Sequence, residues 1–153
     1  MHIYVIRHAH AVDGDDDAAR PLSTKGRGQV RELARFMRKT AAFEAREIWH
    51  SPLRRSWETA TLLAERLKPR VRVEEVAGLK PDDAASLIAT KFSHLRHPVA
   101  VVGHEPHLSA LASLLVAGRA APPRFTLKKC SVLRLDRANG SWSVRWLVSP
   151  EII

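Results

Sequence analysis

Basic side chains follow three of the apolar runs that predict β-strands in this sequence. These basic residues are Arg7 and His8 after residues 3–6, Arg54 and Arg55 after residues 46–51, and His104 after residues 98–103. In an open α/β sheet, ligands bind beyond the carboxyl ends of the strands, where the chain leaves for the next helix. Basic groups at three such ends indicate a shared site for an anion rather than three independent placements.

The residue types at these strand ends suit phosphoryl transfer. A phosphoryl group spreads negative charge over its equatorial oxygens, and the planar guanidinium group of an arginine fits two of them at once. Arg7 and Arg55 match that role. A neutral imidazole can attack phosphorus and hold a covalent intermediate, and nearby guanidinium groups lower its pKa and keep it neutral. Each residue alone also has a structural interpretation: His8 as a hydrogen-bonded loop residue, Arg55 as a surface helix residue, and His104 as a partner in a helix cap.

The elements that position these residues alternate along the chain. Runs of β-branched and apolar residues predict strands at 3–6, 46–51, 70–76 and 98–104, the last of them apolar enough to be a parallel strand covered on both faces. Apolar positions three and four residues apart predict helices after the caps Ser23 and Thr24, and at 52–67, 80–92 and 105–118. The tail alternates polar and apolar residues around the turn 137–140, which predicts a β-hairpin.

This order of elements predicts an α/β fold. We expect a three-layer sandwich with a mainly parallel central sheet, helices on both faces, and the C-terminal antiparallel hairpin at the sheet edge. Two details are more specific. The second helix, with Pro52 at its start, is expected to bury one stripe, formed by Leu53, Trp57, Ala60, Ala64 and Leu67. The third helix is expected to carry Asp82 or Asp83 near its N-terminus, where the helix dipole favours negative charge.

Three motifs, in this order and at this spacing, resemble those of a known family. They are VIRHAHA at 5–11, SPLRRSWETA at 51–60 and VVGHEP at 101–106. They are similar to the motifs of the histidine phosphatase superfamily, whose hallmark is an Arg-His-Gly/Ala triplet after the first strand and whose fold is called phosphoglycerate mutase-like. The segment RPLSTKG at 20–26, the small size and the minimal inserts resemble the short, SixA-like phosphohistidine phosphatase subgroup.

The resemblance implies a role for each matching residue. His8 would be the nucleophile that forms a phosphohistidine intermediate, Arg7 and Arg55 would bind the phosphoryl oxygens, and His104 would stabilise the transition state. Arg20, in the Arg-Pro-Leu segment of the subgroup, is a candidate for a fourth contact. Ser51 is a candidate for a hydroxyl contact with the substrate, and equally for a helix cap before Pro52.

The sequence departs from the superfamily pattern at the general acid. Larger members carry a carboxylic acid after the third strand, and Gly78 is the residue that aligns with it here. Glu75 and Asp82, with Asp83 beside it, are the nearby candidates, and each is also an ordinary loop or first-turn charge. An alkoxide leaving group needs a proton, whereas an imidazole has a conjugate-acid pKa of about 6.5. A site without a strong acid therefore favours phosphohistidine over phosphate monoesters.

Other charged residues have simpler interpretations. The run DGDDD at 13–17 lacks the spacing of a calcium loop, so we expect a solvated acidic loop, which could also screen or gate the basic pocket. Glu105 could orient His104 or cap the following helix. The basic run RFTLKK at 124–129 could guide an acidic partner protein or form a solvated edge.

Composition limits the class of protein. A chain of 153 residues with 45% hydrophobic content fits one domain spanning 1–153, and Cys130, the only cysteine, excludes an intramolecular disulfide and a cysteine-cluster metal site. We expect no cofactor and no metal. The net charge of +9 suits an anionic partner, although the interleaved charges indicate a solvated helix face rather than a nucleic-acid surface. No stretch approaches the roughly 20 apolar residues that cross a bilayer, and the N-terminus lacks a signal-peptide layout, so we expect a cytoplasmic protein without membrane contact.

Three functions fit these observations. The first is a phosphatase that dephosphorylates phosphohistidine on a protein, such as a histidine-containing phosphotransfer domain, through a covalent intermediate on His8. The second is a phosphomonoesterase for a small phosphate ester or another phosphorylated residue. The third is a non-catalytic module that binds phosphate groups or nucleic acid, which would leave His8 unexplained.

Overall fold

A computed structural model describes residues 1–67 and 70–153 as an α/β sandwich. Its strands are β1 (His2–Arg7), β2 (Glu47–His50), β3 (Arg72–Glu75), β4 (Val99–Gly103), β5 (Val132–Ala138) and β6 (Ser141–Val148). Its helices are α1 (Thr24–Lys39), α2 (Arg54–Leu67), α3 (Ala85–Ser93) and α4 (His107–Ala117), with 3₁₀ turns at Asp17–Ala19 and Pro150–Ile152. None of the helices described is both long and apolar enough to cross a membrane.

The six strands form one sheet in the order β3-β2-β4-β1-β5-β6. The pairs β3-β2, β2-β4 and β4-β1 are parallel, whereas β5 pairs antiparallel with β1 and with β6. The predicted α/β fold, with a mainly parallel sheet and a C-terminal antiparallel pair, is confirmed. Because β1, β2 and β4 run in the same direction as neighbours, their carboxyl ends share one sheet edge.

Helices cover both faces of the sheet. Successive side chains of a strand point to opposite faces, so Tyr4 and Ile6 of β1 pack with α1 and α2, whereas Ile3 and Val5 pack with α3 and α4. All four side chains are fully buried. Full burial of an aliphatic side chain contributes roughly 1.5–3 kcal/mol, so β1 is firmly held between the two helical layers.

Most helix ends follow the sequence signals. The Ser23 hydroxyl accepts a hydrogen bond from the Gly26 N–H and caps α1, as predicted. Gly118 ends α4 with a left-handed φ of 77°, a conformation that glycine adopts without strain. The third helix is an exception, because α3 starts at Ala85 with no acidic residue in its first turn. Asp83 instead accepts a hydrogen bond from the Lys80 N–H in the preceding loop.

The buried face of α2 also differs from its prediction. Trp57 is 48% exposed, so the predicted stripe is wrong at this residue, whereas Ala60 and Ala64 are buried as predicted. The helix turns Arg55, Ser56, Glu58 and Thr59 inward, and each of these polar side chains is hydrogen-bonded. The spacing of apolar residues does not predict such a polar face, because the burial of these side chains depends on hydrogen-bond partners elsewhere in the chain.

Candidate active site

The three basic motifs meet at the shared carboxyl edge of β1, β2 and β4. The His8 N–H donates to the Gly103 carbonyl at 3.0 Å, and the Ser51 N–H donates to the Val102 carbonyl at 3.4 Å. The rings of His8 and His104 lie with their centroids 5.0 Å apart and their planes inclined by 47°. The strand ends that were predicted to converge are therefore in direct contact.

His8 is held in one tautomer. Its Nδ1 lies 2.7 Å from the carbonyl oxygen of Ala9, and a carbonyl oxygen only accepts hydrogen bonds, so Nδ1 carries the proton. Burial lowers the pKa of His8 to about 4, and the positive charges of Arg55 and Arg7 contribute to the shift. The imidazole is therefore neutral at pH 7, with the lone pair of Nε2 available for attack on an electrophile.

His104 is fixed by Ser51. The Ser51 hydroxyl lies 2.5 Å from Nε2 of His104, and it also accepts a hydrogen bond from the Leu53 N–H at 3.3 Å. Ser51 thus makes both a contact within the pocket and a contact to the start of the next helix. Burial lowers the pKa of His104 to about 3, and the charge that His8 carries when protonated and the charge of Arg55 contribute to the shift. This ring is therefore also neutral at pH 7.

Arg55 and Arg20 share a single carboxylate. Arg55 donates from Nη1 to the backbone carbonyl of Asp17 at 2.8 Å and from Nη2 to its Oδ2 at 3.2 Å. Arg20 donates from Nη1 to Oδ1 of Asp17 at 3.0 Å, and from Nε to the Val12 carbonyl at 2.8 Å. The hydrogen bond from Arg20 and the charge of Arg55 hold the pKa of Asp17 below its usual range, so this group is a carboxylate at pH 7.

Arg7 and Lys129 add two further positive charges. Arg7 donates from Nη1 to the Leu127 carbonyl at 2.8 Å, whereas its Nε is buried with no partner among the described residues. Lys129 is half-buried and makes no ion pair with any residue that the structure describes. Burial and the charge of Arg7 lower the pKa of Lys129, and the charge of Lys129 in turn contributes to the lowered pKa of His8.

Polar residues of α2 support the pocket from behind. Thr59 accepts a hydrogen bond from the Ala9 N–H at 3.0 Å and donates to the Arg55 carbonyl at 2.7 Å. Ser56 donates to the Val102 carbonyl at 2.6 Å. The inward polar face of α2 therefore connects the ends of β1 and β4 to the backbone of the helix that carries Arg55.

The segment that carries Arg20 is also anchored to α2. Glu58 accepts a hydrogen bond from the Leu22 N–H at 2.7 Å and another from Nε of Arg54 at 2.8 Å. Glu58 is 8% exposed, and a buried carboxylate of this kind costs free energy unless it is paired. The pairing fixes the position of the loop between β1 and α1 against the helix.

The two candidate acids from the sequence do not join these residues. Glu75 is an exposed side chain at the end of β3, and β3 is three strands away from β1, or about 14 Å at the usual strand spacing. Asp82 is exposed in the loop before α3. Neither carboxylate forms a hydrogen bond or ion pair with any of the pocket residues described above.

The carboxylate of Glu105 forms hydrogen bonds within α4 rather than with His104. Its carboxylate accepts hydrogen bonds from the backbone N–H of Ser109, at 3.0 Å, and from the Ser109 hydroxyl. These contacts occupy the first turn of α4, which is the capping role that the sequence left open. Across the described part of the chain, no three His, Cys, Asp or Glu side chains are grouped so that they could hold a metal ion.

The contacts of two pocket residues were not predicted from the sequence, although the acidic run at 13–17 was considered able to screen or gate the basic pocket. Asp17 was expected in a solvated acidic loop; its side chain is 63% exposed, and it nevertheless bonds both arginines. The position of the acidic run in the sequence, between His8 and Arg20, was the feature that could have indicated these contacts of Asp17. Lys129 was expected on a solvated edge, and its location near His8 depends on the pairing of β5 with β1.

This chain is similar to known proteins in sequence and in fold. A family model described as the histidine phosphatase superfamily (branch 1) matches residues 3–81. The phosphohistidine phosphatase SixA of Escherichia coli (strain K12) is 27% identical, in a match that covers 98% of this chain and 94% of that protein. An uncharacterised protein of a Picosynechococcus species is 30% identical, and the match covers 88% of this chain and 84% of that protein. A solved structure of the protein histidine phosphatase SixA complexed with tungstate has a TM-score of 0.88 at 23% identity and covers 99% of both chains.

Proposed function

Since this chain belongs to the histidine phosphatase superfamily and is a phosphatase of that type, we propose that its substrate is phosphohistidine on a protein. A histidine-containing phosphotransfer domain is the partner class that presents such a group. The relative named phosphohistidine phosphatase SixA, which is similar to this chain over nearly its whole length, supports the proposal.

In the first step, Nε2 of His8 attacks phosphorus while the bond between phosphorus and the substrate nitrogen breaks. The substrate ring, protonated on its other nitrogen, leaves as neutral imidazole. His8 becomes a phosphorylated imidazolium ion, and the Ala9 carbonyl, which already accepts the Nδ1 proton, stabilises the new positive charge. Arg7 and Arg55 bind the phosphoryl oxygens, and His104 lies where it can contact one of them.

In the second step, water attacks the phosphorus of phosphorylated His8. The bond between phosphorus and Nε2 breaks, Nε2 recovers its lone pair, and the proton lost by water goes to the phosphate product or to solvent. Inorganic phosphate then leaves. Splitting the hydrolysis into two displacements at phosphorus is the advantage of a covalent intermediate.

The observation that carries the substrate proposal concerns the carboxyl groups of the pocket. Asp17 is ionised and bonded to two arginines, and Glu75 and Asp82 lie outside the cluster formed by the described pocket residues. An alkoxide leaving group, as in phosphoserine, needs a proton from a carboxylic acid of the enzyme. An imidazole that is already protonated on its other nitrogen leaves without such an acid. The pocket therefore suits phosphohistidine better than an alkyl phosphate.

Turnover of matched substrates tests this proposal. The wild type and His8→Ala are incubated with a protein that carries phosphohistidine and, separately, with a phosphoserine protein. We expect a kcat/KM at least about 100-fold higher for phosphohistidine, acid-labile phosphate on the wild type during turnover, and loss of both in His8→Ala.

Three results would contradict the proposal. Activity that survives His8→Ala would exclude the covalent mechanism. Faster turnover of phosphoserine would favour a phosphomonoesterase instead, and would require an acid in the pocket. Binding of a phosphorylated protein without turnover of either substrate would favour a non-catalytic module.

A further inference from the structure

One carboxylate occupies a central position among the positive charges of the pocket. Asp17 accepts hydrogen bonds from Arg55 through both its backbone carbonyl and its Oδ2, and from Arg20 through its Oδ1. Its 3₁₀ turn is itself closed by Asp16, whose side chain accepts a hydrogen bond from the Ala18 N–H. The backbone contact and the carboxylate contact together fix both the position and the plane of the Arg55 guanidinium group.

The charge around Arg55 explains why such a partner is needed. Arg55 is 6% exposed, and a buried guanidinium group without an anion is strongly unfavourable. The charged groups that act on His8 also include the cations Arg7 and Lys129, and the charge of Arg55 contributes to the lowered pKa of Lys129. Asp17 is the acidic residue that forms an ion pair with Arg55 within the described part of the chain.

We propose that Asp17 is a positioning residue of the pocket, which aligns the guanidinium groups of Arg55 and Arg20 to receive the phosphoryl group. This inference rests on the proposed function, since it concerns the same phosphoryl site. The N–H groups of the two arginines that are not bonded to Asp17 or Val12 bind the phosphoryl oxygens. They include Nη2 of Arg20, which also lies 3.9 Å from Oδ1 of the exposed Asp13. Asp17 acts through the arginines and does not itself exchange a proton with the substrate.

The same contacts would also fit a second role for Asp17, and the two roles predict opposite changes in anion affinity when the charge of Asp17 is removed. A carboxylate that merely filled the anion site before the substrate arrived would compete with it, so removal of its charge would strengthen anion binding. A positioning carboxylate has the opposite effect, because its removal leaves Arg55 free to adopt other orientations and weakens the binding of any oxyanion. Tungstate affinity therefore distinguishes the two roles without any need for turnover.

The experiment compares Asp17→Asn with Asp15→Asn as a matched control. Asp15 lies in the same acidic loop, and it makes no hydrogen bond or ion pair with any residue that the structure describes. For Asp17→Asn we expect tungstate affinity and kcat/KM for the phosphohistidine protein each to fall by about tenfold or more, with a higher KM and a lower kcat. Asp17→Glu, which keeps the charge, should recover part of the loss, and Asp15→Asn should match the wild type within about twofold.

The outcomes separate this inference from the proposed function. Tighter tungstate binding or a lower KM in Asp17→Asn would overturn the positioning role, as would unchanged values in both measurements. Equal losses in Asp15→Asn and Asp17→Asn would also overturn it, because they would indicate loop charge alone. If the wild type binds tungstate but turns over no phosphohistidine, the proposed substrate fails while the tungstate comparison still tests Asp17. Circular dichroism of each variant ensures that folded proteins are compared.

Discussion

At the scale of single residues, neighbouring backbone groups and charges set the chemistry of His8. The Ala9 carbonyl fixes the proton on Nδ1, and burial keeps the ring uncharged. The nitrogen of His8 that is proposed to attack phosphorus is therefore set by a contact to the adjacent residue, and the sequence alone does not reveal this contact. The sequence does predict that the pair Arg7-His8 lies at a strand end, because a run of strand-forming residues and the charges that follow it form a local pattern.

Lys129 offers a prediction at this scale. Lys129→Gln removes a positive charge that acts on His8, so we expect inorganic phosphate to bind about threefold to tenfold more weakly, with a larger difference at low salt. Isothermal titration calorimetry at two ionic strengths measures the effect. Lys128→Gln is the control, since Lys128 is exposed and pairs with Glu151. Equal losses in the two variants would show that general surface charge, rather than proximity to the pocket, attracts the anion.

At the scale of elements, α2 shows how a helix can be both a structural layer and the support of a site. Ala60 and Leu63 pack into the core, while Ser56 and Thr59 bond the ends of β4 and β1. The sequence predicted the existence of the helix correctly and its buried face only in part. Helical spacing reports where apolar residues repeat, whereas the exposure of Trp57 follows from hydrogen bonds between elements distant in sequence.

The hydrogen bond of Thr59 gives a prediction for this element. Thr59→Val preserves the shape of the side chain but leaves the buried Ala9 N–H without its partner, so we expect a loss of about 1–3 kcal/mol in the free energy of unfolding. A decrease in kcat is expected as well, because the backbone beside His8 is no longer held. Urea denaturation measures the stability change. Thr61→Val, on the same helix and without a hydrogen bond to the described side chains, should change stability much less.

At the scale of the whole molecule, the order of the strands in the sheet brings the residues of the candidate site together. The carboxyl ends of β2, β4 and β1 are adjacent because three helical crossovers join the parallel strands, with α1 and α2 on one face of the sheet and α3 on the other. The alternation of strands and helices made this arrangement predictable, since ligands bind at such an edge in open α/β sheets. The contacts of Asp17 and Lys129 were not predictable to the same degree, because they join loops whose relative positions depend on the complete fold.

Two of the buried histidines, His8 and His104, predict how stability depends on pH. Their pKa values are about 4 for His8 and about 3 for His104 in the folded protein, and 6.5 is the ordinary value for an unfolded chain. Between pH 6.5 and pH 4 the unfolded chain therefore takes up protons that the folded protein does not, and the free energy of unfolding falls as the pH is lowered. Above pH 6.5 both states leave these histidines neutral, and the free energy of unfolding is not reduced by them. From pH 7 to pH 5 the free energy of unfolding falls by roughly 2 kcal/mol for each histidine.

Thermal denaturation across this pH range measures the effect. The wild type should show a Tm that falls steadily from pH 7 to pH 5, and the double variant His8→Asn/His104→Asn should show a much shallower decrease. Parallel slopes in the two proteins would contradict the assigned pKa directions. Carboxylates contribute little to the comparison, because they titrate mostly below pH 5.

The antiparallel side of β1 has a consequence for the synthesis of the protein. The Arg7 N–H donates to the Ser131 carbonyl at 3.2 Å, and the Cys130 N–H lies 3.1 Å from the carbonyls of both Arg7 and His8. A chain growing on the ribosome therefore exposes His8 about 120 residues before the backbone partners of that segment, Cys130 and Ser131, have been made. Contacts between segments so distant in sequence form late. His8, the proposed nucleophile, is therefore set in place only after Cys130 and Ser131 have been made, so a nascent chain that lacks these residues is expected to be inert towards phosphorylated proteins.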